Sequence, residues 1–449
     1  MESQFRAVIR QKIVDSLATV PPALTRRDVW IPDLANKAVA VIGMRRAGKT
    51  SLLWQVLSDS LVAGAPRDAL LYFSFEDERL AGMQAGDLDI LLEEYYRLYP
   101  DSRDRRQATL FLDEIQVVPG WELFARRILD TESIRLFLSG SSARLLSREV
   151  ATSMRGRAME AIVFPFSYRE SLRHAAQEPA NAPRRLTKAA GSLLDKHLLG
   201  YLAQGGFPEA QGLDLRHRVE LLRGYVDVVL LRDVIERHTV SHPQALLWMV
   251  RQLLGNAAGS FSINKFYADL KSQGFAVAKD TLHAYLSYLE DAFLLCSIEI
   301  ATTSERRRRV NPRKVYPIDT GLIPIYDRSG KANLGHALET AVLHELLRRG
   351  ADVNYVHTAG GYEVDFLARH PDGRQDLIQV CANLDDPATV VREVRALNDA
   401  ATEYPQAHQL LLVLDKPASI QMPPGITLAT ARNWLLDSTT GDEHAGEPG

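Results

Sequence analysis

Gly43-Met44-Arg45-Arg46-Ala47-Gly48-Lys49-Thr50 (43–50) has the form G-x-x-x-x-G-K-[ST]. Its flanks supply the context that this form requires: KAVAVIG (37–43) reads as a strand ending in glycine, and SLLWQVLSDSLV (51–62) has helical spacing. Glycines let such a loop curl so that backbone N–H groups point at phosphate oxygens. Lys49 would place a point charge on the β and γ phosphates, and Thr50 would offer a hydroxyl to Mg²⁺. The helix beginning at Ser51 adds its positive N-terminal end. Gly43, Arg46, Ala47, Gly48, Lys49, Thr50 and Ser51 are therefore the expected nucleotide contacts, with ATP and Mg²⁺ as ligands. The competing reading is a glycine-rich turn with a solvated lysine.

Downstream, Leu110 to Glu114 spell LFLDE, an apolar strand ending in two acids. Asp113 would hold Mg²⁺ together with Thr50, and Glu114 would orient or deprotonate the attacking water. The second acid favours hydrolysis of ATP over phosphorylation of a small molecule, because water is the nucleophile that needs a base. A P-loop kinase is the weaker alternative. IRLFLSG (134–140) runs into Ser139-Gly140-Ser141-Ser142, where a polar residue could contact the γ-phosphate or the attacking water, with a serine-rich turn as the evenly weighted competing reading. Arg155 and Arg157 flank a glycine and are candidates for a γ-phosphate contact, from the same chain or a neighbouring one. By spacing alone a surface arginine pair is the favoured reading.

Strands and helices alternate through this first third: ALLYFSFED (69–77), DLDILLEEYYRLY (87–99), ATLFLDE (108–114), WELFARRILD (121–130). That alternation predicts a parallel sheet with helices on both faces. The whole chain has 449 residues, 46% hydrophobic and 24% charged, with a formal net charge of −3. These values exclude a disordered, collagenous or coiled-coil chain, and leave room for nucleic-acid binding only as a local patch. Two distant cysteines, Cys296 and Cys381, exclude a disulfide framework and a CxxC zinc pair, and fit a reducing cytoplasm. The charged N-terminus lacks a signal core, and no apolar run approaches the ~20 residues that span a bilayer. The expected division is 1–190, 191–328 and 329–437, followed by a disordered tail, 438–449.

After about residue 190 the strand signal fades. Helical segments at 217–238, 245–258, 262–274 and 277–295 lead to two strands around a basic turn, a winged-helix pattern. Arg306-Arg307-Arg308-Arg309 and Arg313-Lys314 fall where the wing hairpin is expected, and would follow a DNA backbone. Lys279, Asp280, Thr281 and His283 would open the recognition helix. A solvated charge run docking on a partner or domain is the competing use. Beyond residue 330 comes a helix (336–350), three strands, another helix and a further strand, an α/β module of ordinary domain size.

GMRRAGKTS, YFSFEDERL, LFLDEIQ, LSGSSARLLSREVATSMRGR and FPFSYRE, with YLAQGGFPEA (201–210), LLRDVIER (230–237), KVYPIDTGL (314–322) and the ALE, EVDF and IQV pieces, together resemble one family. It is that of the prokaryotic AAA-type (AAA_14-like) P-loop ATPases with a C-terminal DUF4143-type domain. The resemblance implies the additional-strand, catalytic-glutamate division of P-loop folds, a winged-helix segment and a C-terminal restriction-endonuclease-like fold. It also implies nucleotide roles for Ser141, Arg155 and Arg157. A restriction-type nuclease needs a helix Glu, a strand Asp and then Glu-x-Lys. Here Glu339 and Asp365 stand in the first two places, but the third reads Gln379-Val380-Cys381. A neutral amide does not balance a divalent ion and a thiol does not replace an ammonium, so a catalytically inactive scaffold is expected. Glu363 or Asp376 are the acids that could migrate into such a site. Two functions follow: an ATPase acting with DNA, or a nucleotide-controlled signalling or defence protein working through a homo-oligomer or a protein partner, away from membranes.

Overall fold

The computed structural model describes residues 2–140, 154, 156–180, 187–327, 333–416 and 421–437. The chain forms two compact units, Met1–Phe164 with Asp291–Phe293, and Pro165–Glu290 with Leu294–Gly449.

In the first unit, strands β1 (Ala38–Ile42), β2 (Leu70–Ser74), β3 (Ala108–Asp113), β4 (Ile134–Gly140) and β5 (Ala158–Ile162) make one sheet in the order β2-β3-β4-β1-β5. Every neighbouring pair is parallel. β4 thus lies between β1, which enters the glycine loop, and β3, which carries the two acids. Successive residues of a strand face opposite sides, and this sheet is buried on both. Ala38, Ala40, Ile42, Leu110 and Leu112 pack with Phe5, Ile9 and Ile13 of the helix Glu2–Ala18 and with the helices Asp89–Leu98 and Trp121–Thr131. Val39, Val41 and Phe111 pack with Leu52, Leu53 and Val56 of the helix Lys49–Val62. This is the P-loop NTPase fold, with helices on both faces as the alternating pattern predicts.

The second unit begins with helices, including Lys188–Gln204 and Leu215–Val228, the latter continuing as a π-helix through Val229–Glu236. The helix Pro243–Gly255 then leads to β6 (Gly259–Phe261), the helices Ile263–Ser272 and Lys279–Asp291 follow in succession, and β7 (Leu295–Ile298) and β8 (Arg313–Pro317) complete a small sheet ordered β6-β8-β7. The segment joining β7 to β8 is not a bare basic turn. Glu305–Val310 forms a short helix capped by Ser304, whose hydroxyl accepts from the Arg307 N–H at 3.3 Å.

The chain ends in a five-stranded mixed sheet of β9 (Asp352–His357), β10 (Glu363–Arg369), β11 (Gln375–Cys381), β12 (His408–Val413) and β13 (Ile426–Thr430), ordered β13-β12-β11-β10-β9. β9, β10 and β11 are antiparallel, whereas β11, β12 and β13 are parallel. The helix Leu334–Arg348 contributes Val342, Leu343 and Leu346 to one core of this sheet, and Pro387–Glu403 contributes Ala396, Leu397 and Ala400 to the other. No helix among the described residues is long and apolar enough to cross a membrane.

Candidate functional site

The loop that follows β1 is shaped by two glycines with no freedom to be anything else. Gly43 has φ +150°, and a Cβ there would lie 2.2 Å from the Val163 carbonyl oxygen. Gly48, at φ +102°, starts the helix Lys49–Val62, and a Cβ there would meet the Arg27 guanidinium at 2.7 Å. Arg46, between them, also adopts a positive φ of 67°. Lys49 is buried, and its ammonium donates to the carbonyls of Gly43 at 3.0 Å and Met44 at 3.1 Å, tying the loop across its own mouth.

Arg27 is an unforeseen member of this arrangement. It is buried, donates to the Ala47 carbonyl at 2.8 Å and the Phe164 carbonyl at 2.5 Å, and its backbone N–H donates to Gln55 Oε1 at 2.7 Å. It holds the loop from behind. No local motif marks it, because its partners lie far along the chain.

β3 delivers Asp113 to the loop. The Thr50 hydroxyl donates to Asp113 Oδ2 at 2.8 Å, and the Tyr72 hydroxyl donates to the same oxygen at 2.6 Å. The Ser139 hydroxyl donates to Oδ1 and accepts the Glu114 N–H at 3.1 Å. One carboxylate thus receives hydroxyls from three elements, β2, β4 and the helix after the loop. Burial, together with the Asp113 charge, pushes the Tyr72 hydroxyl up, so it stays a donor. Glu114 sits in the left-handed region at φ 55°, which takes it out of the strand, and its carboxylate accepts from Gln116. Burial raises its pKa against the pull of Lys49.

The polar residue that β4 brings to the acids is Ser139, and Ser141 lies outside the described residues, as do Arg155 and the side chain of Arg309. Arg157 is not gathered into this site within its own chain. It precedes β5 at the level of Lys37, its carbonyl accepts the Ala38 N–H at 2.8 Å, and its guanidinium pairs with Asp130. That is the sheet end remote from the loop, roughly 15 Å along the strand.

The basic run is dispersed rather than gathered. Arg306 and Arg307 are exposed. Arg308 pairs with Glu305 at 3.0 Å and Glu299 at 3.6 Å, and Arg313 pairs with Glu299 at 2.8 Å and Glu290 at 3.6 Å. Lys314 points into the protein and is 4% exposed. Its ammonium meets Glu339 Oε1 at 3.1 Å, Asp365 Oδ1 at 2.9 Å and Glu363 Oε1 at 2.8 Å. Sequence reading placed this lysine in the basic turn and counted the lysine of the Glu339–Asp365 pair as missing. The fold brings it there from another strand, which linear spacing does not reveal. Burial opposes its charge, but Asp365, Glu339 and Glu363 outweigh burial and hold it as an ammonium.

Around it the other groups are satisfied. The Tyr316 hydroxyl donates to Glu339 Oε1 at 2.8 Å, and the Val380 N–H donates to Asp365 Oδ2 at 3.0 Å. Gln379 accepts the Asp365 N–H at 3.2 Å and donates to Glu393 at 2.7 Å. The amide is structural: a carboxylate there would face Glu393 with no proton to offer. Cys381 donates its thiol to the Asn383 carbonyl at 3.0 Å, and Asp376 pairs with His370 at 2.8 Å.

The AAA domain family matches residues 35–172, and a domain of unknown function, DUF8612, matches residues 195–328. The DUF8612 match falls on the segment expected as helical and winged-helix, and not on 329–437, where the resemblance in sequence implied a DUF4143-type domain. The "Walker-type atpase paby2304 of pyrococcus abyssi" is similar in structure, at 16% identity, over 72% of this chain and 95% of that one, with a TM-score of 0.38. An "Uncharacterized protein" of Haemophilus influenzae is 29% identical over 333 residues, 74% of this chain and 79% of that protein. "Uncharacterized protein MJ1544" of Methanocaldococcus jannaschii is 32% identical over 401 residues, 88% of this chain and 86% of that protein. At that identity and coverage the chain belongs to the family of the Methanocaldococcus jannaschii protein, and its first unit is an AAA-type P-loop domain.

Proposed function

We propose that the protein is a Mg²⁺-dependent ATPase whose nucleotide cycle acts together with a DNA-associating winged-helix segment. The observation that carries the ATPase reading is Asp113 bonded to the Thr50 hydroxyl at 2.8 Å, at the mouth of a loop closed by Lys49. A hydroxyl and a carboxylate converging beside phosphate-binding backbone are the donor set that suits a hard divalent ion. Thr50 and Asp113 would hold Mg²⁺, which would neutralise charge on the phosphates. Gly43, Arg46, Ala47, Gly48, Lys49 and Ser51 would cradle the phosphates. Ser139 and Tyr72 orient Asp113, and Glu114 activates water. Its raised pKa, set by burial, suits a general base. Arg157 would serve a neighbouring subunit's nucleotide, with Arg155 and Ser141 in the roles that the resemblance implies.

The DNA reading is supported by element order: helix, strand, helix, helix and two strands, with β8 between β6 and β7, as in winged-helix domains. A cleft of about 300 Å³ in this segment is lined by Ser262, Asn264, Lys279 and His283, groups suited to a phosphate backbone, beside the glutamate-paired Arg308 and Arg313. The order helix, three antiparallel strands, helix and parallel strand supports a restriction-endonuclease-like C-terminal module that does not cleave. Arg308 and Arg313 are matched by glutamates, and this favours a second reading, nucleotide-controlled partner binding without DNA.

Phosphate release from ATP, measured with and without duplex DNA at low and high salt, tests both. DNA stimulation that fades with salt is the expected result. ATP turnover indifferent to DNA at both salts supports the partner reading, and absence of turnover with intact ATP binding refutes the ATPase.

A further inference from the structure

The restriction-endonuclease-like resemblance implies a divalent metal at Glu339 and Asp365, and the residues do not fit one. Among the described residues, no three His, Cys, Asp or Glu side chains come together in a way that could hold a metal ion. The oxygens that would turn toward a metal are already engaged. Glu339 Oε1 receives both the Lys314 ammonium and the Tyr316 hydroxyl, Asp365 Oδ1 receives the ammonium, and Asp365 Oδ2 receives the Val380 N–H. Gln379, which replaces the third acid, is spent on the Asp365 N–H and on Glu393.

Lys314 is also not a loose arm that could swing aside. β8 is the middle strand of its sheet, with Lys314 in register with Ser260 of β6 on one side and Ile298 of β7 on the other. Its stem and head are buried. On the opposite side, β10 shifts register against β9 between Val364 and Leu367. Val364 and Leu367 pack into one core and Phe366 into the other, so Asp365 falls at the irregularity. Bulges of this kind re-aim a side chain, here toward the ammonium.

We infer that Lys314 is the resident cation of this carboxylate cluster: its ammonium takes the place a divalent ion would occupy, so the C-terminal module works without metal and is tied through Glu339 and Asp365 to the winged-helix strand β8. The inference rests on the reading of this module as a non-cleaving fold. It differs from simple loss of a nuclease motif, because the positive charge has been supplied from another strand instead of lost. It also predicts that removing the charge re-creates a metal site, since a buried carboxylate pair left without its partner is strongly destabilised and any cation that fits relieves it.

The test is Mn²⁺ titration of the full chain by calorimetry and by thermal melting, beside Lys314→Met and Lys314→Met/Asp365→Asn. Native protein is expected to show no Asp365-dependent Mn²⁺ binding. Lys314→Met should melt lower, bind Mn²⁺ at least an order of magnitude more tightly than native protein, and recover melting temperature on binding. The double variant should lose that recovery. Should Lys314→Met not fold, Lys314→Gln, whose neutral amide keeps a donor to the carboxylates, is titrated in its place against the same two outcomes. Mn²⁺ binding by native protein that disappears in Asp365→Asn overturns the inference, as does a folded Lys314→Met that ignores Mn²⁺. DNA cleavage is assayed on the same native sample. Cleavage dependent on Asp365 refutes the non-cleaving reading, whereas metal binding without cleavage refutes only the role of Lys314.

Discussion

Loss of Glu114 and loss of Lys49 should separate two steps. Glu114→Gln keeps the side-chain volume and the Asp113 hydroxyl cluster, so ATP should still bind while turnover falls by about 10²–10⁴, the usual worth of a positioned base. Lys49→Ala removes a charged donor to phosphate, worth about 1.5–3 kcal/mol, so ATP affinity should fall by roughly 10- to 100-fold; it also takes the donor from the Gly43 and Met44 carbonyls, so the melting temperature should fall modestly. Equilibrium nucleotide binding and single-turnover kinetics on both variants check this. Gly43→Ala should behave differently from either. Its Cβ has only the Val163 backbone to meet, at 2.2 Å, so the loop must leave β5. Overpacking of this kind costs about 1–3 kcal/mol, read as a lowered melting temperature together with lost ATP binding. At this scale the sequence exposed the residues whose spacing is itself the chemistry: the glycines, Lys49, Thr50, Asp113 and Glu114. It concealed Tyr72 and Arg27, whose roles depend on where β2 and an extended N-terminal segment come to lie.

Among the elements, the legible ones were long or fully buried. IRLFLSG is β4 residue for residue, and the helix around Trp121 falls within one residue of its expected span. β5, β6 and β13 went unread. β5 and β13 are edge strands with half-exposed residues, and β6 has only three. The helix Glu2–Ala18 buries only a thin line, Phe5, Ile9 and Ile13, among charges. The helix Leu334–Arg348 offers a pH test. His344 is buried beside Cys296, 3.8 Å from its sulfur, and burial pushes its pKa down to about 3 from 6.5. A depressed folded pKa gives stability that is complete above the unfolded value and is lost as pH falls toward the folded one. Between pH 7 and pH 5 this group should remove about 2 kcal/mol of stability, and the difference in pH slope between native protein and His344→Gln measures it. Equal slopes would show that His344 is not held neutral.

For the molecule as a whole, the dispersal of the basic run sharpens what DNA binding should look like. Each neutralised phosphate contributes a slope of about −0.9 in log affinity against log salt. Arg306→Ala/Arg307→Ala should therefore flatten the slope by about 2, whereas Arg308→Ala, whose guanidinium is occupied by Glu299 and Glu305, should change it little. An unchanged slope in the double variant removes these arginines from any DNA contact. The chain also enters its first unit twice, once over Met1–Phe164 and again for the three residues Asp291–Phe293, where Phe293 packs against the core of the parallel sheet. During synthesis the ribosome releases the nucleotide loop, both acids and all five strands long before Phe293 emerges. The AAA domain is therefore born with part of its apolar cover still untranslated. A fragment that stops at Phe164 carries every expected ATP ligand yet lacks that cover, so the stretch from Pro165 to Glu290 acts, in the order of manufacture, as a delay before the first unit is finished.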